Sequence, residues 1–247
     1  MTRLAAWNFD EASGVVLDVS GNNHNFALTS PTIRTNSGYT NKGLTQSGSD
    51  IFLLSSTILN ALKTPNRTIT AWIQETAPIT GWVGQFYVSS IDSGSWGILF
   101  LSNQWNIQAR NASGFARCSV ARPTDSLFHH VAGTYDGSHV RMYLDSVQVG
   151  GNQPLAGPLR TDADQFRFLE NTSSSVVVDD VQYFDTAFSP EEVEENMFTA
   201  VTSGRSGKPK AWTGSAWAAR QAKVWNGSTW INAKMHGHNE TDWIAAK

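Results

Sequence analysis

"LFHHVAGTYDGSHVRMYLDSVQVG", Leu127 to Gly150, decides how this chain folds. Two runs of β-branched and aromatic residues flank Asp136-Gly137, a dipeptide suited to the positive φ angles of a tight hairpin turn. After the turn Val140, Met142 and Leu144 alternate with Arg141, Tyr143 and Asp145, the two-residue period of a strand with one buried face. An antiparallel hairpin is predicted. His129 and His130, adjacent in its first strand, then point to opposite faces and cannot jointly hold a metal.

Working outward, the same signature recurs in "RTITAWIQE" (Arg67–Glu75), "QFYVSSI" (Gln85–Ile91), "WGILFL" (Trp96–Leu101) and "VVVDDVQYF" (Val176–Phe184), with Gly, Asn, Asp and Ser between them. Many short strands without intervening helices predict an all-β antiparallel domain, either a two-sheet sandwich or a barrel. One helix is predicted in "FSPEEVEENMFTA": Ser189 caps, Pro190 takes the first helical position, Glu192 completes a capping box, and Val193, Met197 and Val201 share a face. The domain is expected over residues 1–202, followed by a Gly/Ser/Lys/Pro linker at 203–209.

Composition excludes several functions. With 247 residues, 16% of them charged, and a net charge of -3, the chain has neither the basic footprint of a nucleic-acid binder nor that of a membrane-surface protein. The start, "MTRLAAWNFDEASG", lacks a secretory pattern and no long apolar run occurs, so cytosolic synthesis without membrane insertion is expected. The lone Cys118 precludes an intrachain disulfide and is expected to be a buried thiol.

Four segments in order resemble the concanavalin A-like, laminin-G-type jelly-roll family: "AAWNFDEASGVVLDVSGNNHNFAL" (Ala5–Leu28), "TITAWI" (Thr68–Ile73), the central hairpin, and "VVVDDVQYFDTAFSPEEVEE" (Val176–Glu195). Phe128 stands where the family usually has Trp, and Ser146 where it usually has Gly. The resemblance implies a two-sheet jelly-roll sandwich, a scaffold that carries many functions. It also implies a structural Ca²⁺ between the N-terminal loop and the returning strand, held by Asp18, Asn22 and Asp179. Hard oxygen donors suit that ion, although an Asx turn at Asp18 and backbone hydrogen bonds at Asp179 account for the same residues.

Past the linker, residues 210–247 hold a repeat. Trp212, Trp225 and His238 recur every 13 residues, as do Trp217, Trp230 and Trp243. Each unit reads W-[TN]-G-[ST]-x-W, the last being degenerate. A Gly-Ser turn makes the flanking tryptophans cross-strand partners. A lone hairpin is marginal in water, so the units stack on one another, on the main domain, or on other chains; assembly through Trp212, Trp217, Trp225, Trp230 and Trp243, a self-contained sheet and a sugar platform all remain open. The repeats resemble the W-N-G-S-x-W repeats that end many virion proteins of phages infecting actinobacteria. That resemblance implies a virion location, other virion proteins as partners, and a homo-oligomer.

Sugar recognition, the other activity the jelly-roll family implies, needs aromatic platforms and fixed polar groups. Trp82, Trp96 and Trp105 lie among turn residues and are the candidate glycan contacts, whereas Trp7 and Trp72 fit strand cores. No catalytic residue is assigned. The E-x-D-x-x-E or E-x-D-x-E run of related glucanases is missing, Glu75 and Glu170 stand alone, and Glu191, Glu192, Glu194 and Glu195 fall on the helix. His236 and His238 fit a degenerate repeat better than a metal site. The function expected is that of a non-enzymatic phage structural protein, a minor tail protein binding host-surface glycan; the alternatives are a capsid decoration protein and, in another class, a carbohydrate-binding module or degenerate glycanase.

Overall fold

The computed structural model describes residues 1–27, 33–45, 52–53, 56–88, 93–101, 103–169 and 175–199, with the short segments 210–212, 217–219, 223–225 and 230–232. The first half of the chain forms β1 (Arg3–Trp7), β2 (Ile33–Thr35), β3 (Gly43–Thr45), β4 (Phe52–Leu53), α1 (Ser56–Leu62), β5 (Arg67–Glu75), β6 (Gly81–Val88), β7 (Ser93–Leu101), β8 (Gln104–Arg110) and β9 (Phe115–Ala121). There follow β10 (Phe128–Tyr135), β11 (His139–Leu144), β12 (Val147–Pro154), β13 (Gln165–Phe168), β14 (Val176–Phe184) and α2 (Pro190–Met197). An eight-stranded sheet runs β12-β11-β10-β5-β14-β3-β2 with β1 on β14, and a six-stranded sheet runs β4-β13-β6-β7-β8-β9. Every pairing within the two sheets is antiparallel.

Alternation builds the core between the sheets. Ile69, Ala71 and Ile73 of β5 and Val131 and Tyr135 of β10 belong to one buried apolar cluster with Trp96, Ile98 and Phe100 of β7 and Trp105, Ile107 and Ala109 of β8. Burial of this apolar area is the main term favouring the fold. Gly133 of β10 is required by closeness rather than by φ: a Cβ there would lie 2.6 Å from Ile107 Cδ1 in the opposite sheet.

The Leu127–Gly150 stretch forms the predicted hairpin, with Tyr135 opposite Val140 and Val131 opposite Leu144. Its turn differs in detail. Gly137 has φ +90 and Asp136 is not in the positive-φ region. Instead the Asp136 carboxylate accepts from the Ser138 and His139 amides, both at 2.8 Å, an Asx-type cap on the turn. Both faces of β11 are used, because Tyr143 joins Ala132, Phe184, Phe188 and Val193 in a second cluster beneath α2.

Helix α2 carries the predicted capping box, Glu192 N donating to Ser189 Oγ and Ser189 N to Glu192 Oε2. It ends at Met197, so Val201 lies outside the described residues. Helix α1 was not anticipated; "STILNAL" is too short for a clear period, yet it buries Ile58, Leu59 and Leu62.

Of the C-terminal repeats, two two-stranded sheets are described: β15 (Lys210–Trp212) with β16 (Trp217–Ala219), and β17 (Lys223–Trp225) with β18 (Trp230–Asn232). Trp212 falls opposite Trp217, and Trp225 opposite Trp230. The linker at 203–209, His236, His238 and Trp243 lie outside the described residues, as does Glu170.

Candidate functional site

The three glycan candidates separate by face. Trp96 and Trp105 are 0% and 1% exposed and point into the core, so the expectation that they offer a sugar platform is corrected. Turn residues near them suggested loops, but β7 starts at Ser93 and β8 at Gln104, which puts both indoles on the core-facing rows W-x-I-x-F and W-x-I-x-A. The Trp105 indole N–H donates to the Glu75 carboxylate, whose other oxygen accepts from Ile79 N at 3.1 Å. Burial raises the Glu75 carboxyl above its ordinary range despite these bonds.

Trp82 is different. It sits on β6 opposite Leu99, which faces Asn106, which faces Ser119 on β9. This cross-strand row lies on the face turned away from the core and spans three strand spacings, about 14 Å. One row along, Gly97 is followed by Gln108 and Arg117. The polar members are fixed in place: Asn106 donates to Leu99 O at 3.1 Å and Gln104 O at 3.0 Å, and accepts from Ser119 Oγ at 2.6 Å. Gln108 donates to Gly94 O at 3.1 Å and accepts from Arg117 Nη2 at 2.6 Å. A half-buried Trp82 thus borders an ordered array of amide, hydroxyl and guanidinium groups. The sequence signal for Asn106, Gln108, Arg117 and Ser119 was their position on the alternate parity of strands whose other residues are apolar.

Asp18, Asn22 and Asp179 are each held by hydrogen bonds within the protein. Asp18 Oδ1 accepts from the Ala6 and Ser20 amides and Oδ2 from Ser20 Oγ and the His24 amide, at 2.8–2.9 Å. Asn22 Nδ2 donates to Arg3 O and Leu4 O. Asp179, 0% exposed, accepts from the Thr40 and Asp180 amides at 2.8 and 2.7 Å. The two aspartates share none of these partners, and among the described residues no group of three His, Cys, Asp or Glu side chains could hold a metal ion. The donor set therefore fits two separate loop anchors rather than one bridging cation.

Asp179 helps to secure a feature that sequence reasoning missed. Opposite it on β5 is Trp72, on which Tyr39 stacks at 3.5 Å with rings 8° apart. Burial, and then the carboxylates of Asp180, Asp145 and Asp179, push the Tyr39 phenol up to about 12. The expected divergence of the two histidines holds. His129 is clamped between Asp145 Oδ2 at 2.8 Å and Asp125 Oδ1 at 2.9 Å, and the Asp145 hydrogen bond is the largest cause raising its pKa. His130 packs on Trp72 and meets Asn196 Oδ1 at 3.2 Å on the opposite face. Cys118 is buried, which raises its thiol to about 11.

The fold is a two-sheet antiparallel β-sandwich. The model of the concanavalin A-like lectin/glucanases superfamily matches residues 46–194, more than half of the chain, and the chain belongs to that superfamily. No curated protein matches it by sequence. Among solved structures, the binding domain of Paraclostridial Mosquitocidal Protein 1 aligns with TM-score 0.61 at 14% identity, over 80% of this chain and 52% of that one. A botulinum neurotoxin type C structure, described as depending on two ganglioside molecules for cell entry, gives 0.60 at 12% identity over 85% and 55%. Trypanosoma rangeli sialidase in complex with 2,3-difluorosialic acid gives 0.58 at 16% identity over 78% and 32%. The chain thus spans about half the length of the toxin chains and a third of the sialidase. At these identities the likeness is one of fold.

Proposed function

We propose that this protein is a non-enzymatic glycan-recognition protein whose ligand lies across the outer face of the six-stranded sheet. The observation that carries this is the row from Trp82 to Ser119, a half-buried indole beside hydrogen-bonded polar side chains on one face. Such a pairing suits a saccharide, with an apolar ring face for the indole and hydroxyls for the half-buried Ser119 and Arg117, which the buried amides of Asn106 and Gln108 hold in place. Binding is favoured over hydrolysis because the six strands contain no Asp or Glu, whereas glycoside cleavage by the usual mechanism needs two carboxylates across the bond. The ganglioside and sialic acid named for the neighbouring structures agree with a sugar ligand.

The test is a glycan array probed with the intact protein and with Trp82→Ala. The wild type retains a defined subset of glycans, and the variant loses at least about tenfold in affinity, the scale of losing one good aromatic contact. Binding unchanged in the variant contradicts the assignment.

The wider setting we propose is a phage virion, with the sandwich as the host-binding part of a minor tail protein and the repeats as its attachment or oligomerisation module. The regular repeat of tryptophan pairs supports this, since hairpins this small need cover from elsewhere. A protein lacking residues 205–247 is expected to keep its sandwich, with unchanged near-ultraviolet circular dichroism, and to lose incorporation into particles. Incorporation of the truncated chain would remove the attachment role. Gold labelling of the repeats over the head rather than the tail would favour a decoration protein.

A further inference from the structure

The six strands of the outer-face sheet hold three arginines, Arg110, Arg117 and Arg167, and no acidic residue, in a chain whose net charge is -3. Two of these arginines converge. Arg110 pairs with Phe115 and Gln108 with Arg117 across the β8–β9 hairpin, so both guanidiniums and the ring share the face that carries Trp82. Each guanidinium carbon lies 5.4 Å from the centre of the Phe115 ring. Phe115 itself is 54% exposed.

Each cation sits over the ring, a cation–π contact that offsets part of the repulsion between the two charges. Two like charges flank one side chain, and among the described residues neither guanidinium is in an ion pair. Burial, and then the charge of Arg110, lower the pKa of Arg117 below the usual guanidinium range. Arg110 Nε is buried without a hydrogen-bond partner. The hairpin tip holds the arrangement in place: Asn111 Oδ1 accepts from Ser113 N at 2.9 Å and Gly114 N at 3.0 Å, Asn111 Nδ2 donates to Ala156 O at 2.8 Å, and Arg160 N donates to Arg110 O at 3.1 Å. A preformed pair of cations around an exposed ring relieves its repulsion when an anion arrives.

We propose that Arg110, Phe115 and Arg117 form an acid-selecting subsite of the glycan face, at which a sugar carboxylate meets the guanidiniums and the sugar packs beside the exposed Phe115. This rests on the glycan reading above and adds the ligand's charge and chemical class. Gln108 Oε1 takes Nε and Nη2 of Arg117 and Arg110 Nε is buried, so a carboxylate meets the terminal nitrogens of the two guanidiniums, and the exposed aromatic ring beside them favours a carboxylate carried on a pyranose over a free inorganic anion.

The test is an array that pairs uronate- and sialate-bearing oligosaccharides with their methyl esters and includes sulfated oligosaccharides of equal length. It is probed with the intact wild-type protein, Arg110→Gln, Arg117→Gln, Arg117→Lys and Trp82→Ala, each first checked for an unchanged melting temperature. The wild type prefers free carboxylates to their esters by at least tenfold, and the preference shrinks as salt is raised. Either Gln variant loses the preference but still binds the esters through Trp82; Arg117→Lys keeps the charge without the fork and retains part of it. Equal binding of acids and esters by the wild type overturns the proposal while leaving the glycan reading intact. Equal or tighter binding of sulfated chains overturns the carboxylate assignment. Loss of all binding only in Trp82→Ala, with acid preference untouched by the arginine changes, overturns the subsite. No retention of any glycan defeats both readings.

Discussion

Trp96→Ala is expected to lose about 3–5 kcal/mol of stability, the range for deleting a large aromatic side chain from a packed core. Against a typical domain stability of about 5–15 kcal/mol, that is a large share of the total, read as a fall in melting temperature of roughly 6–20 °C. The reason is position. Trp96 is fully buried, opposite Phe86 on one side and Ala109 on the other, and no neighbour can collapse far into a cavity of that size. Trp96→Phe is expected to lose much less, since it keeps most of the ring and removes an indole N–H that has no hydrogen-bond partner. Trp82→Ala, on the solvent side of the same sheet, should change the melting temperature little. Equal destabilisation by Trp82→Ala and Trp96→Ala in thermal denaturation would mean that the two faces are wrongly assigned.

The second large effect is acid sensitivity from His130. Burial lowers its pKa from 6.5 to about 4, only partly opposed by the Asn196 hydrogen bond and the charge of Asp145. The unfolded chain therefore takes up this proton before the folded one does. Neutral His130 contributes full stability above about pH 6.5, and the contribution is lost as pH falls towards 4, at about 3 kcal/mol for the complete shift. Asp179 works in the opposite direction: burial and then Asp180 raise its carboxyl, so its protonation in the folded state adds stability as the pH drops. Comparing wild type with His130→Gln cancels the Asp179 contribution. The wild type should lose about 3 kcal/mol more than the variant between pH 7 and 4 in urea unfolding, and the His130 ring should stay neutral at pH 5 by NMR. His130 titrating near 6.5 would show that its site is hydrated.

The fold was readable where local signals agreed. The 127–150 hairpin, the exact span of Val176–Phe184 and the Ser189 capping box each follow from spacing and side-chain chemistry within a few residues. Features that depend on distant segments were not. Nothing near Asp179 indicates that its carboxylate receives the amide of Thr40, and nothing near Trp72 indicates that Tyr39 will cover it. The tryptophan assignments show the same division. Neighbouring turn residues point Trp96 and Trp105 to loops, whereas the alternation that buries them is present in the sequence. Their parity would also have marked Asn106, Gln108, Arg117 and Ser119 as members of the opposite face. Which sheet those residues belong to, and that the sheet has no acidic residue, emerges only from strand order.

The direct measurement is ligand mapping on the isotopically labelled protein, titrated with the best glycan from the array. Amide and side-chain shift changes are expected at the Trp82 indole, Arg117 and Ser119, with the Trp96 and Trp105 indoles and the Tyr39–Trp72 stack unmoved. Shifts centred on the Tyr39–Trp72 face, or on the C-terminal tryptophan pairs with the six-stranded sheet silent, would contradict that expectation.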